Sequence, residues 1–426
     1  MANICCTELI YGFIIMLGSL NFGISVGLPT PMTTVFHNWN KSDNALQWYN
    51  IITSLCAIFS PFILTFSLNY IGRRLAFMFL HIFAAGIYVL SLFMSKEKFW
   101  IAIFSRALAG LDIGGFTSLC PTMLIEIAPT KLGGFFGNLH QIGCVIGITI
   151  MYVQGTFANW KTLFYTGIGF SALGACLIWI CPETSPNRRK LESDSNVHKE
   201  KDTLFQDCYI EKLVVGLTMM FIQQFCGINA ILSNLGQSFE DAGVPLATGI
   251  ASSISMGCQF VGVFICGFAV DHLGRMPLFC ISALGCAIML FLFSMNTSYN
   301  LTNWVAIVII CFYLFFFGLA LGPIPWFIVP ELFPDSVRSM AATMVVVVNQ
   351  FCSFIVVFMF PWMKEGMGQS ATCIFYGVIS ALGAIFGFFY IIEPANTKMG
   401  GIDWNDDDLV DDLLDIKDSI TKTINN

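Results

Sequence analysis

Apolar stretches of about 20 residues recur along the whole chain and are separated by shorter polar segments. A helix of that length crosses a hydrocarbon core of ~30 Å, so each stretch predicts one membrane-spanning helix. The pattern predicts an all-α membrane protein with twelve spans, at approximately 8–28, 47–69, 75–94, 98–125, 133–157, 161–181, 212–236, 246–270, 277–295, 303–330, 339–363 and 368–392.

Composition supports this prediction. Of the 426 residues, 56% are hydrophobic and only 11% are charged, about half the charged fraction of a soluble domain. The 16 cysteines are scattered mostly through apolar segments, without the paired spacing of a zinc site or a disulfide framework. No nucleophile motif or metal-ligand spacing is present, so we expect no metal, no cofactor and no enzymatic activity.

The distribution of lysine and arginine predicts the orientation of the spans. With both termini in the cytoplasm, 14 of the 20 basic residues fall on the inner side and five on the outer side, as expected for cytoplasmic loops. Three glycosylation sequons begin at Asn40, Asn296 and Asn300, and all three fall in loops that this topology places outside. We therefore expect a multi-pass protein with cytoplasmic termini and candidate glycans on the outer side.

The chain divides into two similar halves. A polar segment at 188–211 predicts a short cytoplasmic linker between six-helix halves at 1–187 and 212–395, and an acidic tail follows at 396–426. Gly72-Arg-Arg74 and Gly274-Arg-Met276 recur at an offset of 202, and Glu126 and Glu331 at an offset of 205. Repeats of this kind are typical of transporters whose halves rock around a site at the midplane.

Several of these motifs resemble the sugar porter family of the major facilitator superfamily, and within it the facilitative hexose transporters. The resemblance is carried by Gln223-Gln-Phe-Cys-Gly-Ile-Asn-Ala230, Gly322-Pro-Ile-Pro-Trp-Phe-Ile-Val-Pro-Glu-Leu-Phe-Pro334, Pro182-Glu-Thr-Ser-Pro186 and the Gly-Arg pairs. It implies the major facilitator fold, facilitative uniport of a hexose such as glucose, and residence in the plasma membrane. The expected partners are a small sugar and the lipid bilayer, with no nucleic acid and no obligate protein partner.

The resemblance also implies which residues bind the sugar. The candidates are Phe22, Gln141, Gln223, Gln224, Asn229, Gln259, Trp326, Asn349 and Gln350. Amides donate and accept hydrogen bonds, which suits sugar hydroxyls. The alternative role for buried amides is hydrogen bonding between helices. On a continuous helix, Gln223 and Asn229 would lie about two turns apart, with Gln224 about 100° around the axis.

A helix break is expected at Gly322, Pro323 and Pro325, because proline removes a backbone donor and clashes with the preceding turn. Freed backbone groups in a membrane are tolerated only beside protein or a watery cavity, so the break should face the transport path. Trp326 would then offer its ring and its N–H to the sugar.

Six charged residues lie at matched positions near the predicted cytoplasmic helix ends. They are Arg73, Arg74, Glu126, Arg275, Glu331 and Arg338. The resemblance implies salt bridges that latch the halves together, whereas anchoring in lipid headgroups is the alternative. The arginine that the family usually places before the fifth span is Gly133 here, which leaves the latch of the N-terminal half incomplete.

Passive transport is favoured over symport because Ser25 occupies the place of the acid found in proton-coupled relatives, and a hydroxyl does not carry a proton at physiological pH.

Asp112 is an acid deep in the fourth span, and either a functional role or pairing with Arg106 or a neighbouring helix fits the sequence. The alternatives are a proton-coupled symporter and a sugar sensor that does not transport. Ser233, Asn234 and Gly318 depart from the facilitators, so the choice of sugar stays open.

Overall fold

The computed structural model describes residues 6–129, 132–184, 204, 207–236, 239, 248–299, 303–334 and 337–391. Within these residues the chain is helical and contains no β-strand. Most of the predicted linker lies outside the described residues, as do the whole acidic tail and Asn300.

Eight α-helices are described before the linker. They are α1 (Cys6–Gly27), α2 (Pro29–Asn38), α3 (Asp43–Ala57), α4 (Ser60–Ile71), α5 (Arg73–Ser91), α6 (Phe99–Ile127), α7 (Gly133–Phe157) and α8 (Trp160–Leu177). Seven follow it. They are α9 (Asp207–Phe225), α10 (Ile228–Ser233), α11 (Thr248–Leu273), α12 (Arg275–Tyr299), α13 (Asn303–Phe316), α14 (Ile324–Leu332) and α15 (Arg338–Tyr390).

These helices make up the expected number of membrane spans. Eleven stretches of the described residues are long and apolar enough to cross a membrane. The last one, α15, has 53 residues, and its backbone leaves the helical region at Gly368, where φ is 85° and ψ is 161°. The chain on either side of Gly368 therefore forms two spans, and the total is the predicted twelve.

The seventh predicted span is not a continuous helix. It breaks between α9 and α10 at Gly227, whose φ of 89° is left-handed. A Cβ at this position would lie 2.6 Å from the Tyr376 ring, so only glycine suits both the backbone conformation and the packing. The helical spacing expected for Gln223, Gln224 and Asn229 was therefore wrong, because they lie on two helices.

Buried apolar side chains form two clusters. One consists of residues between Ile14 and Cys181, and the other of residues between Leu204 and Ile391 together with four residues of α7. Glycines allow close contact between α1 and α7, since a Cβ at Gly23 would lie 2.0 Å from the Cys144 carbonyl oxygen. Phe22 and Ile142 pack against both clusters, so the surface between the clusters passes through α1 and α7.

Candidate functional site

A central cavity lies between the two apolar clusters and has an empty volume of about 850 Å³, counted out to its mouth. All nine residues expected to bind sugar line this cavity: Phe22, Gln141, Gln223, Gln224, Asn229, Gln259, Trp326, Asn349 and Gln350. The fold thus brings together residues from α1, α7, α9, α10, α11, α14 and α15.

Four of the amides form a continuous hydrogen-bonded chain along one wall. Asn349 donates to Gln223 Oε1 at 2.7 Å, and Gln224 donates to Asn349 Oδ1 at 3.1 Å. Asn229 donates to Gln224 Oε1 at 2.6 Å and to Ser353 Oγ at 2.8 Å. These bonds orient the amides and leave further lone pairs, such as those of Asn229 Oδ1, for a ligand.

The helix break supports the same chain of amides. Residues 317–321 form a π-helical turn, and α14 begins after Gly322 and Pro323. The turn frees backbone carbonyl groups, and the Gln223 amide donates to those of Leu321 and Gly322 at 3.3 and 2.6 Å. Gln223 therefore satisfies the break on one side, and its Oε1 accepts from Asn349 on the other.

Aromatic rings close another part of the wall. Phe22 stacks on the His140 ring with centroids 5.8 Å apart and an interplanar angle of 3°. Trp326 meets His140 edge-on at 5.3 Å. His140 is fully buried and its Nδ1 lies 2.8 Å from Ser19 Oγ, so His140 supports the two cavity-lining rings from behind.

Three further amides remain available for a ligand. Gln141 and Gln350 line the cavity and form no hydrogen bond with any residue that the structure describes. Gln259 is only 1% exposed, and its Oε1 has no partner within the described ranges. A buried acceptor without a partner is costly, so these groups are suited to binding hydroxyls.

Part of the lining comes from residues that the sequence analysis did not select. Asn50, Thr53 and Ser54 of α3 line the cavity on the side of the first apolar cluster, together with Arg106 of α6. Their spacing of three and four residues places the α3 residues on one helix face. That spacing is the signal that could have identified them, although it is equally typical of buried helix contacts.

Arg106 is the charged residue of the cavity lining, and its Nη1 donates to the Ser25 carbonyl oxygen at 2.8 Å. Its guanidinium carbon also lies 5.0 Å from the centre of the Tyr49 ring. Asp112 is 1% exposed, and its Oδ1 has no hydrogen-bond partner among the described residues. Of the alternatives for Asp112, a salt bridge with Arg106 is absent from the described part of the chain.

Most of the expected gating charges meet at one end of the bundle, which we call the charged end and define by Arg73, Glu126, Arg275, Glu331 and Arg338. Arg73 pairs with Glu126, and Arg275 pairs with Glu331 at 3.0 Å. Arg338 approaches Glu126 at 3.7 Å. The first two pairs lie within one half of the sequence each, whereas the third joins the halves.

Arg74 does not take part in these ion pairs, contrary to the sequence expectation. Its guanidinium lies 5.0 Å from the centre of the Trp179 ring. The nearby Glu183 carboxylate accepts instead from the backbone N–H groups of Arg73 and Arg74, at 2.9 and 3.3 Å. The reason is geometric, because Glu183 lies at the start of α5 and caps the free N–H groups there.

A helix terminus takes the place of the missing arginine at Gly133. The Asp271 carboxylate accepts from the backbone N–H groups of Gly134 and Phe135, at 3.0 and 2.9 Å. These groups belong to the first turn of α7, where unpaired N–H groups and the helix dipole favour an anion. Asp271, in α11, thus joins the halves without an arginine partner in α7.

The opposite end of the bundle also has contacts between the halves. The Tyr152 hydroxyl donates to the Leu232 carbonyl oxygen at 3.2 Å, and Thr30 donates to the same oxygen at 3.4 Å. Gln47 donates to the Phe358 carbonyl oxygen at 3.4 Å. The cavity therefore lies between two sets of contacts, one at each end.

The remaining site candidates differ in their surroundings. Asn40 is exposed in the turn after α2. Asn296 lies inside α12 and is 8% exposed, so this folded state does not present its side chain for glycosylation. No group of three or more His, Cys, Asp or Glu side chains suited to a metal ion lies among the residues described.

The family model described as "Sugar (and other) transporter" matches residues 11–405. Facilitated trehalose transporter Tret1 of Aedes aegypti is 24% identical over 444 residues, covering 93% of this chain and 55% of the relative, so the chain spans about half of that protein. Sugar transporter ERD6-like 16 of Arabidopsis thaliana is 27% identical over 415 residues, covering 88% of this chain and 85% of the relative.

Solved structures with the same fold include the major facilitator superfamily proton:xylose symporter XylE bound to 6-bromo-6-deoxy-D-glucose. It has a TM-score of 0.77 and 20% identity, covering 91% of this chain and 96% of XylE. The human organic anion transporter MFSD10 has a TM-score of 0.72 and 13% identity, covering 89% of this chain and 99% of MFSD10. At this level of identity, the similarity establishes the major facilitator fold.

Proposed function

Because the chain belongs to the Sugar (and other) transporter family, we propose that it carries a hexose such as glucose across a membrane by passive alternating access. The observation that carries this proposal is the amide-lined cavity between two sets of contacts joining the halves. The family is one of sugar transporters and not of enzymes.

The chemistry of the cavity suits a neutral polyhydroxylated ligand. Amides from Gln141, Gln259 and Gln350 are free to exchange hydrogen bonds with hydroxyls, and the amide chain around Asn349 presents further acceptors. Trp326 offers an indole face to the apolar side of a sugar ring. The Arg106 guanidinium is held by the carbonyl oxygens of Ser25 and Tyr49.

Alternating access follows from breaking one set of contacts at a time. Opening the charged end requires separating Arg338 from Glu126 and the start of α7 from Asp271. Opening the other end requires separating Tyr152 and Thr30 from Leu232. Salt bridges at the charged end would therefore act as a gate, on the side that we propose to be cytoplasmic together with both termini.

Passive transport is supported by the surroundings of Ser25. Its hydroxyl lies 3.1 Å from the Tyr88 hydroxyl, and the described cavity lining contains no carboxylate. Proton-coupled symport is a second candidate, favoured by the buried Asp112 carboxyl without a partner for Oδ1 in the described residues. Among the similar proteins, Tret1 is named a facilitated transporter and XylE a proton symporter.

The test is uptake of labelled glucose by proteoliposomes containing the purified full chain. Passive transport predicts equilibration down the gradient and no effect of an uncoupler. Accumulation above the outside concentration under an inward proton gradient, abolished by the uncoupler, would instead establish symport. Binding of glucose without any flux would favour the sensor.

Two further experiments identify the preferred sugar and the membrane in which the protein resides. A panel of hexoses, pentoses, polyols and trehalose should show strongest inhibition by a hexose, and stronger inhibition by trehalose would refute the hexose assignment. We propose the plasma membrane as the site of action, with sugar and lipid as the partners. Imaging of a tagged chain tests this location.

A further inference from the structure

Thr53 differs from other buried threonines in the described helices. Thr117, Thr122 and Thr372 each donate their hydroxyl to the carbonyl oxygen four residues earlier, at 2.9 Å in every case. Thr53 is 4% exposed and lines the cavity, yet its Oγ1 has no hydrogen-bond partner in the described part of the chain. Its hydroxyl is therefore available to a ligand.

Arg106 accounts for this difference. The carbonyl oxygen four residues before Thr53 belongs to Tyr49, and Arg106 Nε donates to that oxygen at 3.4 Å. Because the helical N–H of Thr53 also uses this oxygen, both lone pairs are engaged. Arg106 is thus a positioning residue that leaves the Thr53 hydroxyl free.

The neighbouring residues on α3 extend the same polar face. Asn50 lies one turn before Thr53, lines the cavity and makes no hydrogen bond to a described residue. Ser54 Oγ lies 3.1 Å from Ser353 Oγ, the serine that also accepts from Asn229. The α3 face is therefore continuous with the end of the amide chain.

The backbone under this face is closely packed. A Cβ added to Gly110 of α6 would lie 2.2 Å from the Thr53 carbonyl oxygen, and one added to Gly114 would lie 2.4 Å from the Ala57 carbonyl oxygen. Glycines at these positions let α3 rest directly on α6, so the position of the Thr53 hydroxyl is well defined. A rigid polar group of this kind discriminates between ligands better than a mobile one.

We propose that Asn50 and Thr53 form a second hydroxyl-binding subsite, which contacts the sugar from α3 while the amide chain contacts it from the other half. The inference rests on the proposed function and adds residues that determine specificity. It requires a substrate with a hydroxyl on the side facing α3, because a sugar lacking that hydroxyl would leave buried polar groups unpaired. Sites built to bond a hydroxyl reject analogues that lack it far more strongly than apolar pockets do.

The test compares wild type with Thr53→Val in proteoliposomes. Inhibition constants for labelled glucose uptake are measured with glucose and with a set of its monodeoxy analogues. Thr53→Val removes the hydroxyl at nearly constant volume, and we expect the inhibition constant of glucose to rise about 5- to 10-fold, the value of one neutral hydrogen bond. One deoxy analogue should inhibit wild type and Thr53→Val equally. It lacks the sugar hydroxyl that bonds to Thr53, so removing the Thr53 hydroxyl costs it nothing further.

Two further variants make the result specific. Thr53→Ser keeps the hydroxyl and should restore the wild-type inhibition constants. Thr122→Val makes the same change at a threonine that is 3% exposed, bonded to the Ser118 carbonyl oxygen and outside the central cavity, and it should change none of the constants.

The outcomes separate the inference from the proposed function. If no sugar competes in wild type, the proposed function fails and the subsite with it. In the second outcome, sugars compete in wild type while Thr53→Val leaves the inhibition constant of every deoxy analogue, relative to that of glucose, unchanged. That result would refute the subsite alone. If Thr53→Val does not fold, Thr53→Ser and Asn50→Leu replace it in the test. The subsite then requires that Asn50→Leu changes the inhibition constants of the deoxy analogues relative to glucose and that Thr53→Ser does not.

Discussion

The contact between Asp271 and the start of α7 can be tested as a latch between the halves. In wild type, the Asp271 carboxylate accepts from the N–H groups of Gly134 and Phe135 at 3.0 and 2.9 Å. Asp271→Asn removes the charge and leaves one amide oxygen to accept from these two groups. The Asp271 carboxylate also lies 3.4 Å from Arg275 Nη2, so the substitution weakens that contact as well. The ion pair of Arg275 with Glu331 at 3.0 Å remains.

The expected magnitude follows from the two bonds. Hydrogen bonds to a charged group contribute ~1.5–3 kcal/mol each, and a neutral one ~0.5–1.5 kcal/mol. Replacing two charged bonds by one neutral bond costs about 1.5–5.5 kcal/mol on these values. The Asp271 side chain is 13% exposed, so a cost near the lower end of this range, about 2 kcal/mol, applies, which corresponds to about 30-fold in the opening equilibrium.

Hydrogen exchange measured by mass spectrometry is a suitable assay, because exchange reports local opening. We expect peptides containing residues 133–140 to exchange about 30-fold faster in Asp271→Asn than in wild type. Asp43→Asn, at an exposed acid in the first turn of α3, is the matched control and should not affect these peptides. Unchanged exchange at 133–140 in a folded Asp271→Asn protein would refute the latch.

Four further substitutions test the site and the fold. Gln224→Ala and Asn229→Ala should each weaken glucose binding by ~1–2 kcal/mol, because buried partners lose their hydrogen bonds; unchanged affinity in calorimetry would remove them from the site. Gly227→Ala should lower the unfolding temperature, because φ is 89° and a Cβ would lie 2.6 Å from the Tyr376 ring, a strain of ~1–3 kcal/mol; an unchanged melting temperature contradicts this. Asp112→Asn should leave uptake and its pH dependence unchanged if transport is passive, and loss of acid-stimulated uptake would instead indicate proton coupling.

The periodic pattern of apolar residues determined the number of spans, because a hydrocarbon core requires about 20 apolar residues in each helix whatever their neighbours are. The positions of glycine and proline also marked the helix break at Gly322 and Pro323, since their backbone effects are local. Gly227 carried the same kind of local signal, but the Tyr376 ring that leaves no room for a Cβ there lies 149 residues away in sequence.

Some features of the candidate site could likewise be predicted from the sequence, and others only from the tertiary structure. The motif of Gln223, Gln224 and Asn229 pointed to one wall of the central cavity from sequence alone, because several amides in one membrane segment are unusual and chemically informative. Only the tertiary structure showed that the Asp271 carboxylate accepts from the start of α7 beside Gly133. It also showed that Arg106 donates to the Tyr49 carbonyl oxygen and that Thr53 Oγ1 has no partner among the described residues. Apolar pattern and motif are properties of the chain, whereas the partner of a polar group depends on which helices the fold brings within hydrogen-bonding distance.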